Sequence, residues 1–216
     1  MVDNRGVGRS DESPHPFTTH EMARDIAAVL DHAGVRRAHI FGLSLGGMVA
    51  QAFALQHPER LDRLVLGCTT PGGGRAIRPR LRAFFSMARG RLASIETGCR
   101  IEAENTLSAE FLTRSPQTIQ SWIELASARP VSRRALVFQA LAGLRHDVFD
   151  QLSGVQAPTL VLAPDADRLI PARNSQLLAT QIPRAELCWM RGAGHDFVTE
   201  RPAATFRIVS EFLLSD

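Results

Sequence analysis

The chain has no lysine and no tyrosine, and only three cysteines. Cys68, Cys99 and Cys188 are odd in number and lack a C-x-x-C spacing, which points away from a disulfide framework and a cysteine metal site. A reducing, cytoplasmic setting is therefore expected. No apolar run approaches the ~20 residues that a membrane-spanning helix needs. The first residues are polar (Asp3, Asn4, Arg5), so no signal peptide and no membrane partner are expected. Because lysine is missing, all 25 basic side chains are arginine, yet the net charge is only +3. The arginine bias reads as compositional. Nucleic-acid binding fits poorly, because the aromatics fall on helix faces instead of between the arginines. With 216 residues, 44% of them hydrophobic, the chain can bury one sizeable core.

One segment carries chemistry. Ser44 stands inside G-x-S-x-G, as Gly42-Leu43-Ser44-Leu45-Gly46. Arg37-Ala38-His39-Ile40-Phe41 before it reads as a short buried strand, and residues 47–55 after it read as an apolar helix. A serine at a sharp strand-to-helix turn is a nucleophile elbow. Gly42 and Gly46 are expected to let the turn close, and the helix N-terminus to present amides beside the serine oxygen.

Such a nucleophile needs a base, and the base an orienting acid. Of seven histidines, only His146 and His195 follow a plausible acid that itself follows Ser44. Residues 158–163 are an apolar run that reads as a buried parallel strand, with Asp165 and Asp167 just past its end. A second run, residues 185–190, leads to Gly192-Ala193-Gly194-His195-Asp196. Catalytic groups collect past the carboxyl ends of the strands in open α/β sheets, and Ser44, Asp167 and His195 all lie there. His32 and His57 fall near helix ends, His20 in a first turn and His15 in a proline-rich loop. Asp196 reads as loop-fixing.

These pieces, with Asp3-Asn4-Arg5-Gly6-Val7-Gly8-Arg9-Ser10 and Asp167-Arg168-Leu169-Ile170-Pro171, resemble the α/β-hydrolase superfamily in order and span. The nearest likeness is to enol-lactonases, small esterases and cofactor-free haloperoxidases, through Cys68-Thr69-Thr70-Pro71-Gly72-Gly73. The resemblance implies an α/β fold with a mostly parallel sheet, flanking helices and an inserted helical lid. It selects Asp167 over Asp165 as the acid, leaving Ser44, Asp167 and His195 as catalytic triad and the Leu45 amide as one oxyanion donor. It implies hydrolysis of a small carboxylic ester or lactone, without cofactor or metal. Perhydrolysis by the same triad is the alternative.

The family pattern has three strands and a His-Gly oxyanion loop before the Asp-x-Arg-Gly stretch, which here starts at residue 3. Met1-Val2 would be the tail of a strand. An N-terminally truncated chain is expected, or a short form whose exposed sheet edge at His39-Ile40-Phe41 is covered by a second copy in a homo-oligomer. Loss of one oxyanion donor would cost roughly a hundredfold in turnover, which makes a catalytically impaired homologue a third reading.

Residues 1–73 and 151–216 are assigned to the core and 74–150 to the lid. Thr18-Thr19-His20-Glu21 is a capping box opening a helix to Ala33-Gly34, residues 61–67 read as a strand, 172–182 as a helix and 203–214 as the last helix. Gly72-Gly73-Gly74 reads as a hinge, since no phosphate-loop lysine follows. Arg75, Arg78, Arg80, Arg82, Arg89, Arg91 and Arg100 make the lid's first part basic, either as a solvated face or as an attraction for anionic substrates. Phe84, Phe85 and Trp122 either line an acyl pocket or pack the lid.

Overall fold

Four short apolar segments pair into one parallel sheet in the order β1–β2–β3–β4: β1 (Ala38–Leu43), β2 (Leu61–Gly67), β3 (Thr159–Pro164) and β4 (Ala185–Met190). The computed structural model describes residues 2–78 and 81–215, without the side chains of Leu81 and Phe84. The expectations for Met1, Arg80 and Phe84 lie outside the described residues. Val2 is exposed and belongs to no strand.

Every residue of β3 is buried, as its unbroken apolar run requires of an inner parallel strand. Side chains alternate between the two faces of the sheet. Leu64, Leu66 and Val161 join Phe53, Met22 and Leu178 in one core. Val65, Leu160 and Leu162 join Phe197 and Val209 in the other. Helices α1 (Thr19–His32), α2 (Leu45–Gln56) and α8 (Arg173–Gln181) supply the first layer. Helices α9 (Phe197–Glu200) and α10 (Pro202–Leu214) supply the second. β1 pairs only with β2 among the described residues, so its other edge is open and Phe41 is 41% exposed.

The capping box at α1 forms as its sequence demands: Glu21 N–H donates to Thr18 Oγ1 (3.2 Å) and Thr18 N–H donates to Glu21 Oε2 (2.8 Å). Helix α2 is apolar nearly all round and is buried between α1 and the sheet.

Among the described residues, five α-helices lie between β2 and β3, α3 (Leu81–Leu92), α4 (Ile95–Thr106), α5 (Ala109–Arg114), α6 (Gln117–Ala128) and α7 (Arg133–Leu144), followed by a 3-10 helix at Phe149–Gly154. Ser94, Ser108 and Ser132 start three of them, each accepting an amide hydrogen from the third helical residue. Trp122 packs on Ala103, Leu107 and Phe111, a small cluster internal to these helices, and Phe85 is 65% exposed.

The glycine run before α3 is not a free hinge. Gly72 pairs with Asp147 in an antiparallel bridge, Gly73 N–H donates to His146 O (3.1 Å) and Val148 N–H donates to Pro71 O (3.0 Å). The chain therefore leaves and re-enters the sheet domain through one stapled doorway. Asn174 of α8 adds a clamp, accepting from Ile77 N–H and donating to Ile77 O, both at 2.8 Å.

His146 in that doorway is 2% exposed, with Nδ1 2.9 Å from Thr19 Oγ1. Burial lowers its pKa from 6.5 to about 4, and the nearby His20 pushes the same way. Between these two values the unfolded chain binds the proton and the native chain does not. Stability is thus unaffected above pH 6.5 and falls as pH drops toward 4, by at most roughly 3 kcal/mol. Urea midpoints followed from neutral pH to about pH 4 should show this slope, and His146→Asn should flatten it. An unchanged slope in the variant would place the acid sensitivity elsewhere.

Candidate active site

Ser44 joins β1 to α2 with φ 50° and ψ −118°, a conformation that costs a non-glycine residue of order 1–3 kcal/mol. Its backbone is pinned from three sides. Ser44 N–H donates to Gly67 O (2.9 Å), and Thr69 Oγ1 donates to Ser44 O (2.7 Å). Ser44 O also receives Gly47 N–H (3.0 Å) and Met48 N–H (3.2 Å). The Ser44 side chain makes no capping hydrogen bond to α2. Leu45 opens α2, so its amide has no intrahelical acceptor and stands at the positive end of the helix.

The glycines divide differently from the expectation. A Cβ at Gly42 would lie 2.3 Å from Gly46 O, so Gly42 is needed for the turn to close. A Cβ at Gly46 would meet nothing within 4 Å, because that position faces open space. The second close approach belongs to Gly47, where a Cβ would come within 2.6 Å of Thr69 Cβ.

Asp167 follows β3 with its side chain 1% exposed. Oδ1 accepts from Leu169 N–H (2.7 Å) and Ile170 N–H (2.9 Å). Oδ2 lies 2.7 Å from His195 Nδ1. A carboxylate only accepts, so Nδ1 carries the proton and Nε2 is left as the acceptor. Asp165 is engaged elsewhere. Its Oδ1 accepts Gly192 N–H (2.6 Å) and its Oδ2 meets Arg191 at 3.4 Å, tying the ends of β3 and β4 together. Asp196 Oδ1 accepts Thr199 N–H (3.3 Å) and starts α9. Helix α8 begins after Ala172, so Asp167 does not cap it.

His195 follows β4, at the opposite edge of the sheet from Ser44. Its loop reaches back over β2, where Phe197 and Leu43 both press on Gly67: a Cβ there would lie 2.8 Å from Phe197 and 2.5 Å from Leu43. The structure thus brings Asp167 and His195 into a hydrogen bond and carries their loop toward the elbow. No Ser44–His195 hydrogen bond is formed among the described residues. Such bonds commonly tighten only around substrate.

Cys68 lies against the Ser44 backbone with a positive φ of 44°. Burial first, and then Asp167, hold its thiol well above the ordinary range, so it stays protonated and is a poor nucleophile. A cleft of about 790 Å³ opens between α2, α7 and the loop beyond Asp167, and none of Ser44, Asp167 and His195 lines it. Met48 of α2, Ile170 and Pro171 beyond Asp167, and Gly143 and Leu144 of α7 form its walls. Sequence reasoning gave no role to Thr69, Asn174 or Glu200, whose polar side chains act on backbone groups.

Fold and site define an α/β-hydrolase-type protein. Residues 1–202 match the model of the alpha/beta hydrolase fold family, and the chain belongs to that family. It is 32% identical over 211 residues to a poly(3-hydroxyalkanoate) depolymerase of Ectopseudomonas oleovorans, covering 98% of this chain and 73% of that protein. It is 30% identical over 222 residues to a putative carbamate hydrolase of Caulobacter sp. strain K31, covering 99% and 79%. Among solved structures, Est816, described as an N-acyl homoserine lactone degrading enzyme, superposes with a TM-score of 0.82 at 30% identity, covering 98% of this chain and 81% of that one.

The glycine geometry is testable by thermal unfolding. Gly42→Ala and Gly47→Ala should each cost roughly 1–3 kcal/mol or more and lower the midpoint by several degrees. Gly46→Ala should stay within about 1 kcal/mol of the parent chain. Equal losses at all three positions would contradict the assignment.

Proposed function

We propose that the chain is a serine hydrolase that cleaves a small carboxylic ester or lactone through an acyl-enzyme. The observation that carries this reading is the buried Asp167–His195 hydrogen bond on a loop carried back toward the strained Ser44 elbow. Ser44 Oγ attacks the carbonyl carbon while His195 Nε2 takes its proton. Asp167 keeps the imidazole in the required tautomer and stabilises its cationic form. The Leu45 amide donates to the developing oxyanion. Collapse breaks the acyl–oxygen bond, and the leaving alkoxide takes the proton from His195; in a lactone the alcohol stays tethered. Water, deprotonated by His195, then attacks the acyl-enzyme and the proton returns to Ser44.

The stretch between β2 and β3 acts as a lid that sets substrate choice. Its helices line a half-open cleft of about 510 Å³, with Met87, Ile101 and Leu136 giving apolar wall and Arg91, Arg129 and Arg133 outnumbering the one carboxylate, Glu102. This favours an acyl group with a hydrocarbon portion and an anionic end. The carbamate hydrolases among the relatives support a second reading, in which the carbonyl attacked belongs to a carbamate.

Fluorophosphonate labelling and activated-ester hydrolysis test the first reading together. Ser44→Ala should abolish labelling and lower kcat by roughly 10⁴-fold or more. Asp167→Asn should lower it by roughly 10³-fold or more, and Asp165→Asn by less than about tenfold. Labelling that survives Ser44→Ala would overturn the assignment, and faster cleavage of carbamates than of matched esters would favour the second reading. For the lid, KM for an anionic ester should rise roughly threefold from low to high salt while KM for a neutral one holds. A salt-independent KM would remove the role given to the arginines.

A further inference from the structure

Glu200 is a buried carboxylate without a place in the proposed chemistry. It is 7% exposed and closes the one-turn helix α9, five residues beyond His195. An ionised carboxyl removed from water is costly unless donors surround it. Here three donors do. Oε1 accepts Gly194 N–H at 3.0 Å and Ser108 N–H at 2.6 Å, and Oε2 accepts Ser108 Oγ–H at 2.7 Å. The first donor is the residue directly before His195. The other two belong to the N-cap of α5, in the stretch between β2 and β3.

The same stretch grips both loops of the site. Thr106 O accepts Asp196 N–H (2.9 Å), on the other side of His195. Glu104 O accepts from Arg168 (3.1 Å), the residue after Asp167. The packing leaves no slack: a Cβ on Gly194 would lie 2.6 Å from Thr106 O and 2.7 Å from Glu200 Oε1. His195 is thus held by its ring at Asp167 and by its backbone neighbours at Glu200 and Thr106.

We infer that Glu200 is a positioning residue for His195, a strap whose carboxylate fastens the loop of the base to residues 106–108. The inference rests on the proposed role of His195 as general base. It assigns the lid segment 104–108 a second duty, as the platform against which the base is aligned. Displacement of a catalytic group by about 1 Å costs on the order of a hundredfold in rate. The strap should therefore show in kcat more than in KM.

The test is kinetic, on the full chain with an activated ester, with folding checked by circular dichroism. Glu200→Ala should lower kcat and the fluorophosphonate labelling rate by roughly 10- to 100-fold, with KM within about twofold. Glu200→Gln keeps an acceptor for the two amides and should recover most of the loss. Ser108→Ala, which removes one bond of three, should give a kcat between those of the parent chain and Glu200→Ala. Full kcat in a folded Glu200→Ala chain would overturn the strap, as would a loss confined to KM. Should Glu200→Ala fail to fold, Ser108→Ala decides it: parent kcat in that variant overturns it. Ser44→Ala, run alongside, separates the two readings, because activity that survives it refutes the role of His195 and not the strap alone.

Discussion

Ser44 is held in a backbone conformation it would not adopt alone, and the arrangement around it exists to hold it there. The carbonyl at the end of β2 takes its amide, and Thr69 and the first turn of α2 take its carbonyl. Gly42 lets backbone approach backbone, and Gly47 leaves room for the Thr69 side chain. Those contacts require β1, β2 and α2 to pack in one register, so the elbow's strain is met by the burial of Leu64, Leu66 and Phe53 beneath it. A soft core there would let the serine relax to ordinary helical or extended geometry and undo the elbow.

The loops that carry Asp167 and His195 are fixed by another device, carboxylates that collect backbone amides. Asp165 binds Gly192, Asp167 binds Leu169 and Ile170, and Glu200 binds Gly194 and Ser108. Each ties a loop to something rigid, and only Asp167 has an oxygen left for the imidazole. Charge-assisted bonds of this kind are roughly twice as strong as neutral ones, which suits loops that must hold an angle without regular secondary structure. The stretch between β2 and β3 is fixed differently where it leaves the sheet, by the Asn174 carboxamide on Ile77 and by the backbone bridge from Gly72 to Asp147.

Much of this was legible in the residues. The bounds of β2 and β4 follow directly from their apolar runs, and the capping box placed α1, because local chemistry decides such features. Ser44, Asp167 and His195 stand out in the sequence because each follows a strand end, and Asp167 is set apart from Asp165 through the family resemblance. The glycine pattern was half legible: a G-x-S-x-G does not say which glycine meets a neighbour, and Gly47 matters through Thr69, twenty-two positions away. Gly72–Gly74 read as flexible because the bridge to Asp147 joins residues far apart in sequence. Glu200 was invisible for the same reason. Its partners lie 6 and 92 residues away, and only folding makes them neighbours. The helices between β2 and β3 were harder to read than the strands, since their apolar faces are short and their clearest signals are three single serine caps.

The central claim is that a covalent bond forms between Ser44 and the acyl half of an ester. Rapid acid quench of the chain during turnover of an activated ester, followed by intact-mass and peptide analysis, tests it most directly. The expected result is one added acyl group, located on the peptide that contains Ser44 and absent from Ser44→Ala. Turnover at full rate with no acyl group on that peptide, or with the group on another residue, would contradict it.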